Sequence, residues 1–279
     1  IKPGNSNKNI YEIIKSNSLT LKDEKKLKKY IDKKKLIYIA TPFSYKAAKW
    51  LNDNNLKIFK IGSGECNNIP FIKYVCSFKK PMIISTGMNS LGAVKKTIRI
   101  VKKHKIPHAI LHCINLYPAD YKYLRLGRLN KMIRIFKSSI IGYSDHSIGN
   151  TIPTAAMALG AKIIEKHFVI EKKRKGPDII CSMDKMELKD LLAASIKIHE
   201  AFSSNKEVIP EEDKTRRFAF HSVVSKKDIN KNEVLNWKNL TTKRPGTGDF
   251  PSYKIYSLIG RRAKKYIKKN HLIKKQYIK

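Results

Sequence analysis

No stretch of the sequence approaches the roughly 18 consecutive apolar residues that cross a bilayer, and no signal-peptide pattern is read at its start. A membrane role is therefore not expected, and a cytoplasmic location is. Cysteine is sparse: Cys66, Cys76, Cys113 and Cys181 lie far apart, with no Cys-x-x-Cys pair. That argues against a zinc ribbon and for a reducing compartment. Acidic residues are scarce as well, with 22 Asp and Glu against 59 Lys and Arg and a formal net charge of +37. Arg is the rare cation, at ten residues, while Lys is spread over nearly every segment. Nucleic-acid readers concentrate cations on one face and use Arg and aromatics against bases. The expectation is a solvated Lys surface of drifted composition, as an A+T-rich coding sequence would give, with no specific nucleic acid as partner.

Core-forming residues are plentiful. Hydrophobic residues make up 42% and charged residues 29% of 279, enough for one large α/β domain and a small second one. The opening Ile1-Lys2-Pro3-Gly4 suggests a missing N-terminus. The first two thirds alternate short β-branched runs with amphipathic helical stretches, the pattern of a parallel α/β fold. The strands expected are Leu36–Thr41, Ile58–Ser63, Met82–Ser85, Ala109–Asn115, Ile140–Ser144 and Lys162–His167. A helix from Asp23 to Lys35 carries an apolar stripe of Leu27, Tyr30 and Ile31. Ser90 caps a helix with Leu91, Val94, Ile98 and Val101 on one face. Asp184 and Glu187 form a capping box for a helix with Leu188, Leu191, Leu192, Ser195, Ile198 and Phe202 on one side. Domain boundaries follow: a parallel α/β domain over 1–202, a polar linker over 203–217, and a small β-rich domain over 218–279. Within that last domain Ile229, Lys231, Asn232 and Leu235 recur 38 positions later as Ile267, Lys269, Asn270 and Ile273. Each Asn is expected in a left-handed turn, and the repeat predicts a pseudo-symmetric fold.

In a barrel of parallel strands, chemistry sits at the C-terminal strand ends. Those ends are polar throughout: Thr41, Ser63 with Glu65, Ser85 with Thr86, Asn115 with Tyr117, Ser144 with His146, and His167. Residues two apart on a strand share a face, so Ser63/Glu65 and Ser144/His146 are each expected to aim together into the mouth. His146 and His167 end consecutive strands and are either a metal pair or hydrogen-bonded core histidines. His108 and His112 would sit about 13 Å apart on one strand and are rejected as ligands. Gly62-Ser63-Gly64 is neither a Walker loop nor a nucleophile elbow; it suits close approach of a ligand to backbone. Hydroxyls, Lys60 and a divalent cation around one mouth suit a small phosphorylated carboxylate.

Five motifs give the chain a family resemblance. They are Lys60-Ile61-Gly62-Ser63-Gly64-Glu65, Ile84-Ser85-Thr86-Gly87-Met88, Leu111-His112-Cys113 through Asn115-Leu116-Tyr117-Pro118, Gly142-Tyr143-Ser144-Asp145-His146, and Glu165-Lys166-His167-Phe168. Together they resemble the sialic acid synthase family, and Lys243-Arg244-Pro245-Gly246-Thr247-Gly248 is similar to that family's antifreeze-like (SAF) domain. The resemblance implies a (β/α)8 TIM-type barrel, here with six strands and the first two absent, followed by a β-clip SAF domain. It implies condensation of phosphoenolpyruvate with an N-acylated amino sugar, N-acetylmannosamine being favoured by Gly176–Asp184, to give N-acetylneuraminate and phosphate. It places Mn²⁺, or Mg²⁺ or Co²⁺, on His146 and His167, and names His146, His167 and Glu65 as catalytic. Thr41, Lys60, Ser63, Ser85, Asn115, Ser144 and His146 match positions around phosphoenolpyruvate. Glu65, Tyr117, Asp178 and His167 match positions around the sugar. Phe218 and Arg244 match residues contributed by the partner in a homodimer that exchanges C-terminal domains. The alternatives are a legionaminate or pseudaminate synthase, or a catalytically dead sugar- or polyanion-binding remnant. Asn232 and Asn270 stand where that family usually has Gly.

Overall fold

A computed structural model describes residues 9–176, 178–203 and 207–279. Ile1–Gly4, Pro177 and the Ser204–Lys206 part of the expected linker lie outside the described residues. The chain divides into two compact units, 1–203 and 204–279.

The first unit begins with helices α1 (Ile10–Asn17) and α2 (Leu21–Lys33). Strand–helix alternation follows: β1 (Ile39–Ala40), α3 (Tyr45–Asp53), β2 (Ile58–Ile61), α4 (Ile69–Ser77), β3 (Met82–Ser85) and α5 (Leu91–Lys103). It continues through β4 (His108–Cys113), α6 (Gly127–Ile135), β5 (Ile140–Asp145), α7 (Thr151–Ala158), β6 (Ile164–Lys166) and α8 (Lys185–Ala201). The six strands form one parallel sheet in chain order, from Ile39 opposite Ile58 to Asp145 opposite Lys166. Six strands are read and, among the described residues, six form this sheet, but several are shorter than expected. Leu36 and Ile37 are exposed, and only Ile39 and Ala40 pair, because β1 is an edge with one neighbour. Ser63 has left β2 for a tight 3₁₀ turn, Ser63–Glu65.

One face of the sheet packs on helices. Phe59 and Ile61, Met82 and Ile84, Ile110, and Ile141 and Tyr143 meet Val94, Ile98 and Val101 of α5 and Phe71, Ile72 and Val75 of α4 in one core. Each fully buried aliphatic contributes roughly 1.5–3 kcal/mol. Ser90 accepts from the Ala93 N–H to start α5, and Asp184 and Glu187 close a reciprocal capping box on α8, both at the expected places. On α8 only Leu191 of the expected stripe is fully buried, while Leu192 and Phe202 are exposed. Leu27 and Tyr30 of α2 are exposed too.

Helices α2, α3 and α5 end in a shared way. Lys35, Asn55 and Lys105 adopt left-handed conformations (φ 59°, 58° and 58°). The next amide in each case reaches back five residues: Leu36 to Ile31, Leu56 to Leu51, Ile106 to Val101. This is the Schellman arrangement, and Leu56 and Ile106 also tuck back into the core, whereas Leu36 stays exposed.

The second unit has a helix, α9 (Asp213–Ala219), inside the stretch expected as linker and beyond it. Asp213 in its first turn and Arg216 and Arg217 in its last complement the helix dipole, which explains helix where only polar composition was visible. Antiparallel strands β7 (Ser222–Ser225) and β8 (Leu240–Lys243) and short bridges follow. The 38-residue repeat is a real pseudo-twofold. Ile229 and Ile267 exchange two backbone hydrogen bonds of 2.9 Å. Asn232 N–H donates to Ala263 O and Asn270 N–H to Ser225 O, while Leu235 N–H donates to Arg261 O and Ile273 N–H to Val223 O. In each pair of bonds donor and acceptor swap copies. Both Asn are left-handed (φ 69° and 61°), and Ile229, Leu235, Ile267 and Ile273 fill the small core.

Two outcomes follow. Lys35→Gly and Lys105→Gly remove a Cβ from left-handed positions, so each should raise stability by about 0.5–1 kcal/mol in urea melts. Burial pushes the Cys66 and Cys76 thiols up to about 11, leaving about a thousandth as thiolate at pH 8. Mass spectrometry after iodoacetamide treatment should find both unmodified in the native protein and alkylated in urea.

Candidate active site

Alternation along the strands splits the chemistry between the two faces of the sheet. With Phe59 and Ile61 packed on the helices, Lys60 faces the other way, and register carries that face across the sheet to Ser85, Cys113, Ser144 and Glu165. Lys60 Nζ donates to Ser85 Oγ at 2.8 Å and lies 3.4 Å from Glu165 Oε2. Ser144 Oγ donates to Glu165 Oε1 at 2.7 Å. Strands β2 and β6 are four apart, about 19 Å in a flat sheet, farther than Lys and Glu side chains reach together. Their contact therefore requires the sheet to curl into part of a barrel, with the polar face inside.

Past the strand ends, Ser63 Oγ accepts from the Gly87 N–H at 3.0 Å. The Asn115 amide lies across Gly87, where any Cβ would sit 1.6 Å from its Oδ1. Gly87 thus has no room for a side chain, whereas Gly62 and Gly64 leave space over their backbone. Thr41 is half-buried beside Gly62. Tyr117 packs on His146 with ring centroids 4.0 Å apart and lies 5.8 Å from His167. The His146 and His167 centroids are 5.3 Å apart, and Asp178 Oδ2 lies 3.9 Å from His167 Nδ1. Lys60, Ser63, Ser85, Asn115, Tyr117, Ser144, His146, His167 and Asp178 thus form a chain of contacts inside the curled sheet and at its mouth. Glu65 does not share an aim with Ser63, because the 3₁₀ turn ends strand alternation. Its carboxylate accepts from the Asn68 amide at 2.7 Å. Phe218 and Arg244 belong to the second unit and meet there, the guanidinium 5.8 Å over the ring. His108 and His112 are engaged by Ile106 O and Ser139 Oγ, and by Leu124 O.

The ring centroids of His146 and His167 are close enough for both imidazoles to offer a nitrogen to one divalent cation. His146 Nδ1 contacts Ile114 O at 2.8 Å, which makes it the N–H nitrogen and leaves Nε2 with its lone pair. Burial, the largest influence on this ring, lowers its pKa and favours the neutral ligand form. Among the described residues no group of three or more His, Cys, Asp or Glu could hold a metal, so a cation here would take further donors from oxygen ligands.

Four features of the site were not expected from sequence. Glu165 joins Lys60 to Ser144, and the rule that pairs Ser144 with His146 would have paired it with His167. Cys113 lies against Asn115 and 3.9 Å from His146 Nδ1. Asn89 donates to Ser63 O at 2.9 Å. On the opposite face of the sheet, Asp145 and Lys166 form an ion pair with both side chains 0% exposed. Asp145 also accepts from the Ser147 N–H and Oγ, and Lys166 donates to Ser147 O. The pair ties β5 to β6 through the neighbours of the two histidines. Asp145→Asn or Lys166→Met should cost about 3–5 kcal/mol, because each leaves a charge buried alone. Chemical denaturation of each variant checks this, and the double variant Asp145→Asn/Lys166→Met should recover part of the loss.

Comparison with known proteins completes the picture. A model of the NeuB family matches residues 1–207, and a model of the SAF domain matches 220–278. The N,N'-diacetyllegionaminic acid synthase of Campylobacter jejuni is 36% identical over 94% of this chain and 79% of its own length. Human N-acetylneuraminate-9-phosphate synthase is 30% identical over 85% of this chain and 67% of its own. Among solved structures, the N-acetylneuraminic acid (sialic acid) synthetase of Leptospira borgpetersenii, in complex with citrate, superposes with a TM-score of 0.71 at 30% identity, covering 75% of this chain and 74% of that one. The curled parallel sheet, the polar strand ends and these matches agree, and the chain belongs to the NeuB family, with a SAF domain after its barrel segment.

Proposed function

We propose that the chain is a phosphoenolpyruvate-dependent synthase that joins phosphoenolpyruvate to N-acetylmannosamine, giving N-acetylneuraminate and inorganic phosphate for sialic acid or surface-polysaccharide synthesis. One observation carries this reading: a buried Lys60 with Ser85 and Ser144 inside a curled sheet whose mouth holds two imidazoles. A phosphate ester needs a desolvated cation and hydroxyl donors fixed in advance, and these residues supply both. Thr41, Ser63, Asn115 and His146 are assigned to the remainder of phosphoenolpyruvate. Glu65, Tyr117, Asp178 and His167 are assigned to the open-chain sugar, whose hydroxyls and amide need polar partners. Phe218 and Arg244 are assigned to the sugar's outer end, contributed across a homodimer with exchanged second domains.

His146 and His167 would hold the divalent cation, Mn²⁺ first and Mg²⁺ or Co²⁺ as alternatives, which supplies Lewis-acid polarisation of the sugar's aldehyde. Lys60, Ser85 and Ser144 fix the phosphate so that the enol carbon faces the aldehyde carbon, and a carbon–carbon bond forms between them. Water then adds its oxygen to the cationic carbon left behind. One of its protons passes by way of Glu65, the catalytic carboxylate proposed in this chain, to the alkoxide formed from the aldehyde, and the other leaves with the phosphate. The carbon–oxygen bond to phosphate breaks, and Lys60 neutralises the departing dianion. Tyr117 shields the imidazoles by its stacking on His146.

The acceptor admits a second reading. The relative named for N,N'-diacetyllegionaminic acid is more similar to this chain than the human N-acetylneuraminate-9-phosphate synthase, which favours the amino sugar that gives a legionaminic acid. Phosphate release measured with phosphoenolpyruvate and each amino sugar in turn separates the two, with N-acetylmannosamine expected to be used. His146→Ala and His167→Ala should each lower the Mn²⁺-dependent rate at least ~100-fold while circular dichroism stays native. Near-normal turnover by either variant without added metal would exclude the metal assignment. A folded protein that releases no phosphate with any acceptor would favour a dead binding remnant.

A further inference from the structure

Glu165 is the acidic group at the centre of the polar interior, and the reaction proposed above gives it no task. It stands on β6 opposite Ser144, accepts that hydroxyl at 2.7 Å, and lies 3.4 Å from Lys60 Nζ. Lys60 is 8% exposed, and its other partners are Ser85 Oγ and its neighbour's carbonyl, Ile61 O. An ammonium so far from water needs a counter-charge. Glu165 supplies it, and in doing so touches or abuts two of the three residues assigned to phosphate.

We propose that Glu165 is a built-in competitor for the anion site: its carboxylate holds Lys60 and Ser144 in the resting protein and must swing away when a phosphate ester binds. This rests on the phosphate-site reading above and adds the residue that sets its affinity. Two features fit the role. A carboxylate and a phosphate dianion cannot share one ammonium at close range without strong repulsion. The exposures decide which of the pair leaves, since the Glu165 side chain is 41% exposed and that of Lys60 10%. Glu165 can turn to solvent, whereas Lys60 is fixed by Ser85. The resting site therefore avoids an unpaired buried cation, at the expense of weaker anion binding.

The test uses inorganic phosphate as the probe, titrated by calorimetry at constant ionic strength. Glu165→Gln keeps the length of the side chain and an acceptor for Ser144 but removes the charge. It should bind phosphate roughly fivefold more tightly than the unmodified chain, the factor equivalent to about 1 kcal/mol of removed competition. Glu165→Ala should shift affinity in the same direction, which guards against a folding defect peculiar to the amide. Lys60→Met should abolish the binding in all backgrounds. Equal or weaker phosphate affinity in folded Glu165→Gln and Glu165→Ala overturns the competitor role and leaves the anion site standing. Absence of phosphate binding in every chain, or binding that survives Lys60→Met, overturns the anion-site reading and the competitor with it.

Discussion

A parallel sheet with helices on one face has to dispose of its other face, and in this protein that constraint organises the site. Residues at odd and even positions of β2 go to opposite environments, so Phe59 and Ile61 enter a dry core while Lys60 enters the interior of the curl. A flat sheet would leave that polar face in water, where isolated lysines and serines interact weakly. Curling brings β2 to within a side chain's reach of β6, and Lys60, Ser85, Ser144 and Glu165 become one connected group. Their interaction is stronger there than on a surface because less water competes.

The two faces are also coupled through single residues. His146 and His167 belong to the mouth, but Asp145 and Lys166, one position back on each strand, pair on the far side. A buried ion pair contributes little net stability, since desolvation offsets most of the attraction. What it does supply is a fixed distance between two strand ends, and Ser147, bonded to both partners, extends that to the turn after His146. The spacing of the imidazoles is thus set by groups that never face the mouth.

Legibility in sequence followed the range of the forces involved. Met82–Ser85 was readable to the residue, as were the Ser90 cap and the Asp184–Glu187 box, because local patterning and side-chain-to-backbone bonds decide them. The left-handed Asn232 and Asn270 were readable for the same reason. A shared aim of Ser63 and Glu65 was expected by extending strand alternation past Ile61, where a 3₁₀ turn had already broken the period. Glu165 and the Asp145–Lys166 pair were invisible for a different reason. Their partners stand about twenty or a hundred residues away, and only the curl and the register of β5 on β6 bring them together. The role of Gly87 was hidden likewise, since the Asn115 amide that needs its missing Cβ arrives from the next strand.

The net charge of +37 bears on the site less than its size suggests. Exposed lysines are screened beyond about 8–10 Å at ordinary ionic strength, so they raise the local concentration of anions without choosing among them. Choice needs a cation that cannot rehydrate, held at fixed distances from hydroxyl donors, and Lys60 with Ser85 answers that description. Such a cation cannot stand unpaired in the resting protein, because burying a lone ammonium costs more than any surface field returns. A nearby carboxylate is the least disruptive remedy, and Glu165 lies partly in solvent, where it can be displaced. The same physics that makes the cation selective therefore requires a competitor beside it, and the binding strength of the site is set by that balance rather than by the charge of the chain.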